Sequence, residues 1–200
     1  MIFRIFQRPL APTIDALYGG IVAQARLPVF YAGFGVPDTV DGRFDLVVLH
    51  LVLVLGRLRL AAGQTGSDRR ARELGQGLFD TFCRDMDNNL REMGVGDLSV
   101  PKQMKRLGEA FYGRQQAYDA ALANNDEVGL TAAIARNVFS GEAGPQAQRL
   151  AAYMRAAAAK LATIDPVAAP ETLAFADPVA ILGDGAISPN NQTPDKERSL

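Results

Sequence analysis

The chain has no tryptophan, one cysteine and one histidine in 200 residues. A single cysteine excludes an internal disulfide and fits a reducing compartment. A single histidine means that any Ser–His–Asp or Cys–His mechanism must run through His50, which sits in the most apolar run of the chain. No CxxC or HExxH spacing suggests a metal site. There is no P-loop, and Gly33-Phe34-Gly35 lacks the third glycine and the strand–helix context of a dinucleotide cradle. No cofactor is therefore expected. An excess of one charge is missing as well. The net charge is −1, with −4 over residues 165–200 and +3 over residues 1–164, too little to announce specific DNA binding. Long apolar runs are also lacking. The opening MIFRIFQRPLAP is too short for a signal segment with its cleavage site, and no stretch is long and apolar enough to span a bilayer.

What is present is helical periodicity. Over residues 77–113, GLFDTFCRDMDNNLREMGVGDLSVPKQMKRLGEAFYG, the stripe Leu74, Leu78, Phe82, Met86, Leu90, Met93 marks an amphipathic helix. Gly94 suits a C-cap, and Pro101 suits the first turn of a second helix striped by Met104, Leu107, Phe111, Tyr118 and Leu122. The segment predicts an αα-hairpin. Asp80, Arg84, Asp87 and Arg91 fall opposite the stripe. Asp85 and Asn89 project into or beside it, so hydrogen-bond partners on a neighbouring element are expected for them. Lys102, Lys105 and Arg106 load the N-terminus of the second helix with cations, against its macrodipole. Either Asp85, Glu92 and Asp97 offset them, or an external anion does. Cys83 borders the apolar arc as a structural thiol.

Elsewhere, Thr13 is expected to cap a helix over 14–26, in which Gly19-Gly20 allows close backbone approach. Residues 27–42 read as a loop, with Phe30, Tyr31 and Phe34 either packed down or binding something. Residues 44–55 are apolar on every side, and periodicity alone leaves strand and helix open. As a helix, Arg43, His50 and Arg57 align in one polar seam that would meet Asp85 or Asp87 of the hairpin, with Asn89 beside them. Breaks at 124–126 and 141–145 bound two further helices, striped by Leu130, Ile134, Val138 and by Leu150, Met154, Leu161, Ile164. The expected organisation is an all-α, single helical bundle of about six helices over 13–165. An apolar-basic arm precedes it at 1–12, and a disordered or loosely docked tail follows at 166–200, of which 172–182 is the stretch expected to lie on the body.

The run DMDNNLREMGVGDLSVPKQMKRLGEAFYGR, together with ALYGGIVAQARLPVFYAGFGVPDTVDGRFDLVVLHLVLVLGRL upstream, resembles the ubiquinol–cytochrome c chaperone family, assembly factors for cytochrome b of the bc1 complex. The resemblance covers residues 14–140. It implies an all-helical fold, which selects helix for 44–55, and no catalytic residues. It implies newly made cytochrome b or a bc1 assembly intermediate as client, with a small partner protein and the ribosome nearby in mitochondrial members. No Arg- and Ser-rich transit stretch opens the sequence, so a bacterial, cytoplasmic protein is expected, peripheral to the inner face of the inner membrane.

Under that reading, Phe30, Tyr31 and Phe34, with Phe111 and Tyr112, shield the client. Asp87, Asn88, Arg91, Lys102, Lys105 and Arg106 of the hairpin orient it. The rival readings are a peripheral membrane or ribosome tether using the N-terminal arm and Lys102 to Arg106, and an enzyme centred on His50.

Overall fold

The computed structural model describes residues 10–63 and 68–182. In chain order they form α1 (Leu10–Ala25), α2 (Pro28–Ala32), α3 (Val40–Ala62), α4 (Asp68–Glu92), α5 (Val100–Ala123), α6 (Glu127–Val138), α7 (Pro145–Ala162), a 3-10 turn (Pro170–Thr172) and α8 (Pro178–Leu182). Six of these helices have twelve residues or more. The expected all-α bundle is what the chain forms.

The apolar run at 44–55 is the middle of α3. Every residue from Leu46 to Leu55 is buried, because α1, α4, α5, α6 and α7 all pack around it. A helix that is hydrophobic all round belongs at the centre of a bundle. Its start is defined locally: Thr39 Oγ1 accepts from the Gly42 amide at 3.1 Å, and Asp41 complements the dipole in the first turn. Gly42 is needed there, since a Cβ would run into the Pro37 carbonyl oxygen.

The hairpin ends α4 in a Schellman motif. Gly94 takes φ +81°, its amide donates to Arg91 O at 2.9 Å, and the Val95 amide donates to Leu90 O at 3.0 Å. The break after α5 repeats the motif with Asn125 at φ 51°, and Asp126 then caps α6 through the Gly129 amide.

Three local expectations change. First, α1 begins at Leu10, so Thr13 lies inside the helix. Pro12 is tolerated in the first turn because its missing N–H would have had no helical acceptor. Second, a Cβ at Gly19 or Gly20 would meet nothing; the close approach of α1 to α4 occurs instead at Gly77, where a Cβ would meet Ile14. Third, the 27–42 loop contains α2. The expected N-terminal arm, apart from its last residues, lies outside the described residues, as does the tail beyond 182. The part of the tail that is described lies against α1, α2 and α7.

Candidate functional site

Phe30 and Phe34 are fully buried and Val36 nearly so. Pro28 starts α2, and the short helix turns both rings inward onto Tyr153, with centroids 4.9 and 5.9 Å away. Half-buried Tyr31 donates to Ala25 O at 3.2 Å. The aromatic loop packs down, so in this state Phe30 and Phe34 are core and not client surface. Phe111 is likewise buried, stacked among Phe79 and Phe82 at 5.0 and 5.6 Å, whereas its neighbour Tyr112 is exposed.

Among the described residues, the seam of Arg43, His50 and Arg57 makes no hydrogen bond or ion pair to α4. Arg43 is exposed and pairs with Asp38 at 2.7 Å. Arg57 Nε donates to Leu161 O at 3.1 Å and Ile164 O at 3.0 Å, which caps the C-terminus of α7. His50 is enclosed and bonds to Tyr153, not to Asp85 or Asp87. Its Nδ1 faces the Leu46 carbonyl at 2.7 Å and therefore carries the proton; Nε2 accepts from the Tyr153 hydroxyl at 2.8 Å. That hydroxyl in turn accepts from Gln24 at 3.1 Å. Burial lowers the His50 pKa to about 4, opposed by the Leu46 carbonyl. A neutral, enclosed imidazole that faces a tyrosine and phenylalanines is a packing group.

Asp85 finds its partner on α1, accepting from the Tyr18 hydroxyl at 2.7 Å, while Asn89 donates back to the Asp85 carbonyl of its own helix at 2.7 Å. Burial and the Asp85 carboxylate push the Tyr18 phenol far up. Desolvation also raises the half-buried Cys83 thiol, keeping it protonated.

One buried ion pair was not foreseen. Arg114 donates to Asp45 at 2.7 Å, with both side chains largely enclosed, and its guanidinium lies 5.6 Å from the centre of the Phe44 ring. Burial pushes the Asp45 carboxyl up to about 6, against the pull of Arg114. The signal was a lone acid beside the apolar run; its partner is 69 residues away, beyond the reach of periodicity.

Four of the expected site residues converge. Arg43, Asp85, Asn89 and Arg106 line a groove of about 450 Å³ between α1, α3, α4 and α5. Val22, Phe44, Val47, Met86, Leu90 and Leu107 give it an apolar bed, Val40 and Met93 form an exposed lip, and Arg26 stands at the rim. Arg26, Val22 and Val40 escaped the sequence reading, because they come from helix ends that only the fold brings to α4.

The hairpin charges divide into two groups. Arg91 is held by Asp87 at 2.7 Å and by Asp97. Asn88 is exposed, and Lys105 has a loose partner in Glu109 at 3.8 Å. Among the described residues, Arg26, Lys102 and Arg106 form no ion pair. Of the acids expected to offset α5, Asp85 bonds to Tyr18 and Asp97 to Arg91, and none of Asp85, Glu92 and Asp97 forms an ion pair with Lys102, Lys105 or Arg106 among the described residues. The first turn of α5 has no acid of its own. Tyr112 faces a separate cleft of about 560 Å³ between α3, α4 and α5. No group of three or more His, Cys, Asp or Glu side chains placed to hold a metal occurs among the described residues.

Known proteins share this architecture. The family model described as ubiquinol-cytochrome C chaperone matches residues 32–169. The ubiquinol-cytochrome c reductase complex assembly factor 1 of Drosophila melanogaster is 28% identical over 76% of this chain, and the chain spans 59% of that relative. The factor of the same name from Xenopus laevis is 24% identical over 74% of this chain and 72% of its own. The crystal structure of the Cbp3 homolog from Brucella abortus superposes with a TM-score of 0.76 at 38% identity, covering 89% of this chain and 98% of its own. With the matched span running from α2 to the end of the bundle, this chain belongs to the ubiquinol–cytochrome c chaperone family.

Proposed function

We propose that the protein is a non-catalytic assembly factor of the cytochrome bc1 complex that binds newly made cytochrome b, or another subunit, through the groove at the α4–α5 hairpin. The observation that carries this reading is the coincidence of exposed apolar side chains and unpaired cations. Leu98 is 99% exposed at the hairpin turn, Met93 and Val40 are 53% and 62% exposed at the groove lip, and Arg26, Lys102 and Arg106 form no ion pair among the described residues, although Asp41 and Asp85 line the same groove as Arg26 and Arg106. Burying one such aliphatic side chain contributes about 1.5–3 kcal/mol. Lys102, in the first turn of α5, opposes the helix dipole at a cost of about 0.3–1 kcal/mol, a cost that an acidic partner surface removes. Apolar burial then supplies affinity, and charge supplies orientation and on-rate. Release follows competition for the client as the complex assembles.

The names of the relatives support the bc1 complex as the setting. The protein would act in a bacterial cytoplasm at the inner face of the membrane; no helix among the described residues is long and apolar enough to cross it. A ribosome contact or small partner protein, as the resemblance implies, would add to the same surface.

Capture of membranes solubilised in mild detergent by tagged protein tests the reading. The parent recovers cytochrome b, and Lys102→Glu/Arg106→Glu, folded by circular dichroism, recovers at least about tenfold less. Equal recovery by both would move the contact away from the hairpin. The second reading is the tether, favoured by the exposed Leu98 lying shortly before Lys102 in the chain. It predicts recovery of lipid or ribosomes without cytochrome b.

A further inference from the structure

We propose that residues 170–182 are a displaceable strap seated in a peptide-binding groove over α1, α2, α3 and α7, and that this groove accepts an extended apolar segment of a partner in the strap's place. The inference does not depend on which subunit is the client.

The seat is a set of interlocked rings. Phe30 lies 5.4 Å from Phe34, 4.9 Å from Tyr153 and 5.4 Å from His50, centroid to centroid. Phe175 of the strap completes the set, edge-on to His50 at 4.9 Å and 89°. At the other end Leu182 lies over Gly33, where any Cβ would collide with its Cδ1. Pro170 and Pro178 are buried, while Leu173, Phe175, Ala176, Ile181 and Leu182 pack on the core only in part. The strap thus engages the body through Pro170, whose turn packs on α1, and through Leu173, Phe175, Pro178 and Leu182, an irregular apolar spacing suited to an extended chain that ends in one helical turn.

The way it is held differs from the rest of the fold. From residue 173 onward its hydrogen bonds to other described residues are local, such as the Val179 amide to Asp177 Oδ1 at 2.9 Å. Its backbone is not built into the bundle; side-chain burial seats it. Just before it, Asp165 Oδ1 accepts from the amides of Val167 and Ala168 at 2.9 and 3.0 Å, which fixes the turn from which the strap departs. The matched family span ends at residue 169, one residue before the strap. The family span thus stops at the end of the bundle, while the superposition on the Brucella abortus structure covers 89% of this chain and so reaches past residue 169 into the strap. A segment whose part from residue 173 onward is seated by side-chain burial opens below the global unfolding free energy, yet its tether keeps the local concentration near ~1 mM, so that the groove stays filled until a partner competes.

The single histidine makes the test specific, because His50 is the one imidazole in the chain and lies beneath Phe175. Hydrogen exchange on the full chain should show strap amides exchanging at least ~100-fold faster than those of α3 and α7. A synthetic peptide of residues 170–182 should bind full-length Phe175→Ala at least ~10-fold more tightly than the parent, because the weakened strap competes less. That binding should return the His50 ring resonance to its parent position, and a scrambled peptide should do neither. If the strap amides exchange together with α3, the strap is an integral part of the core and the proposal is wrong. Equal peptide binding to parent and variant, or binding without movement of the His50 resonance, would also overturn it. Should Phe175→Ala fail to fold, the exchange measurement on the parent decides alone.

Discussion

Two buried residues, His50 and Asp45, shift the response of the fold to acid in opposite directions. The His50 pKa is lowered from 6.5 to about 4 in the fold. Below pH 6.5 the unfolded chain takes the proton first, so the stability held by the neutral ring is lost as pH falls from 6.5 toward 4, up to about 3 kcal/mol. The Asp45 carboxyl, raised to about 6 from 3.8, contributes stability that is complete below 3.8 and lost as pH rises through 6. Comparison with a variant separates the two. Urea unfolding at pH 7 and pH 4.5 should show the parent losing more stability than His50→Asn, the difference approaching that figure; equal losses would mean that the imidazole is not neutral and enclosed as described. Breaking the ion pair from its other side is expected to be costlier. Arg114→Ala leaves Asp45 buried without its guanidinium and should cost about 3–5 kcal/mol, whereas Asp45→Asn, which retains a hydrogen-bond acceptor, should cost less. Denaturant midpoints for the two variants check the order.

At the scale of elements, the hairpin was the most legible part of the chain. Its stripe, its C-cap glycine and its N-terminal proline are local signals, and each appears where the spacing put it. Gly94→Ala forces φ +81° on a residue with a Cβ and should lower stability by about 1–2 kcal/mol. Gly96→Ala, with open space around it, should change little. Thermal melts of the pair tell conformational strain from loss of flexibility. By contrast, the aromatic residues of 27–42 left two outcomes open, because composition shows that Phe30 and Phe34 need burial but not where. The answer came from α7, whose Tyr153 receives both rings and also bonds to His50.

For the molecule as a whole, the charge distribution matters more than the total. Most exposed cations of the hairpin could have been satisfied internally; Arg91 is, while Lys102, Arg106 and Arg26 are not. Client capture should therefore weaken as salt rises from about 0.05 to 0.5 M, over which the screening length falls severalfold, and Lys102→Glu/Arg106→Glu should flatten that dependence. Recovery insensitive to salt would mean that apolar contacts alone orient the client. Under the proposed function, the cations that form no ion pair among the described residues are the groups an acidic partner surface would meet.

The sequence by itself determined the six long helices, their breaks and the family, with the resemblance deciding helix over strand for α3, because apolar period and long segment wording are local properties of the chain; the short α2 and α8 carry no such period. Only the tertiary structure decided the pairings: Tyr18 with Asp85, Asp45 with Arg114, His50 with Tyr153, and the docking of Phe175. Each joins residues on different elements, and a helical period states which face of an element is apolar without stating what lies opposite. That assignment is made by packing, when several helices compete to cover α3 and each buried polar group takes the partner the packing brings within reach.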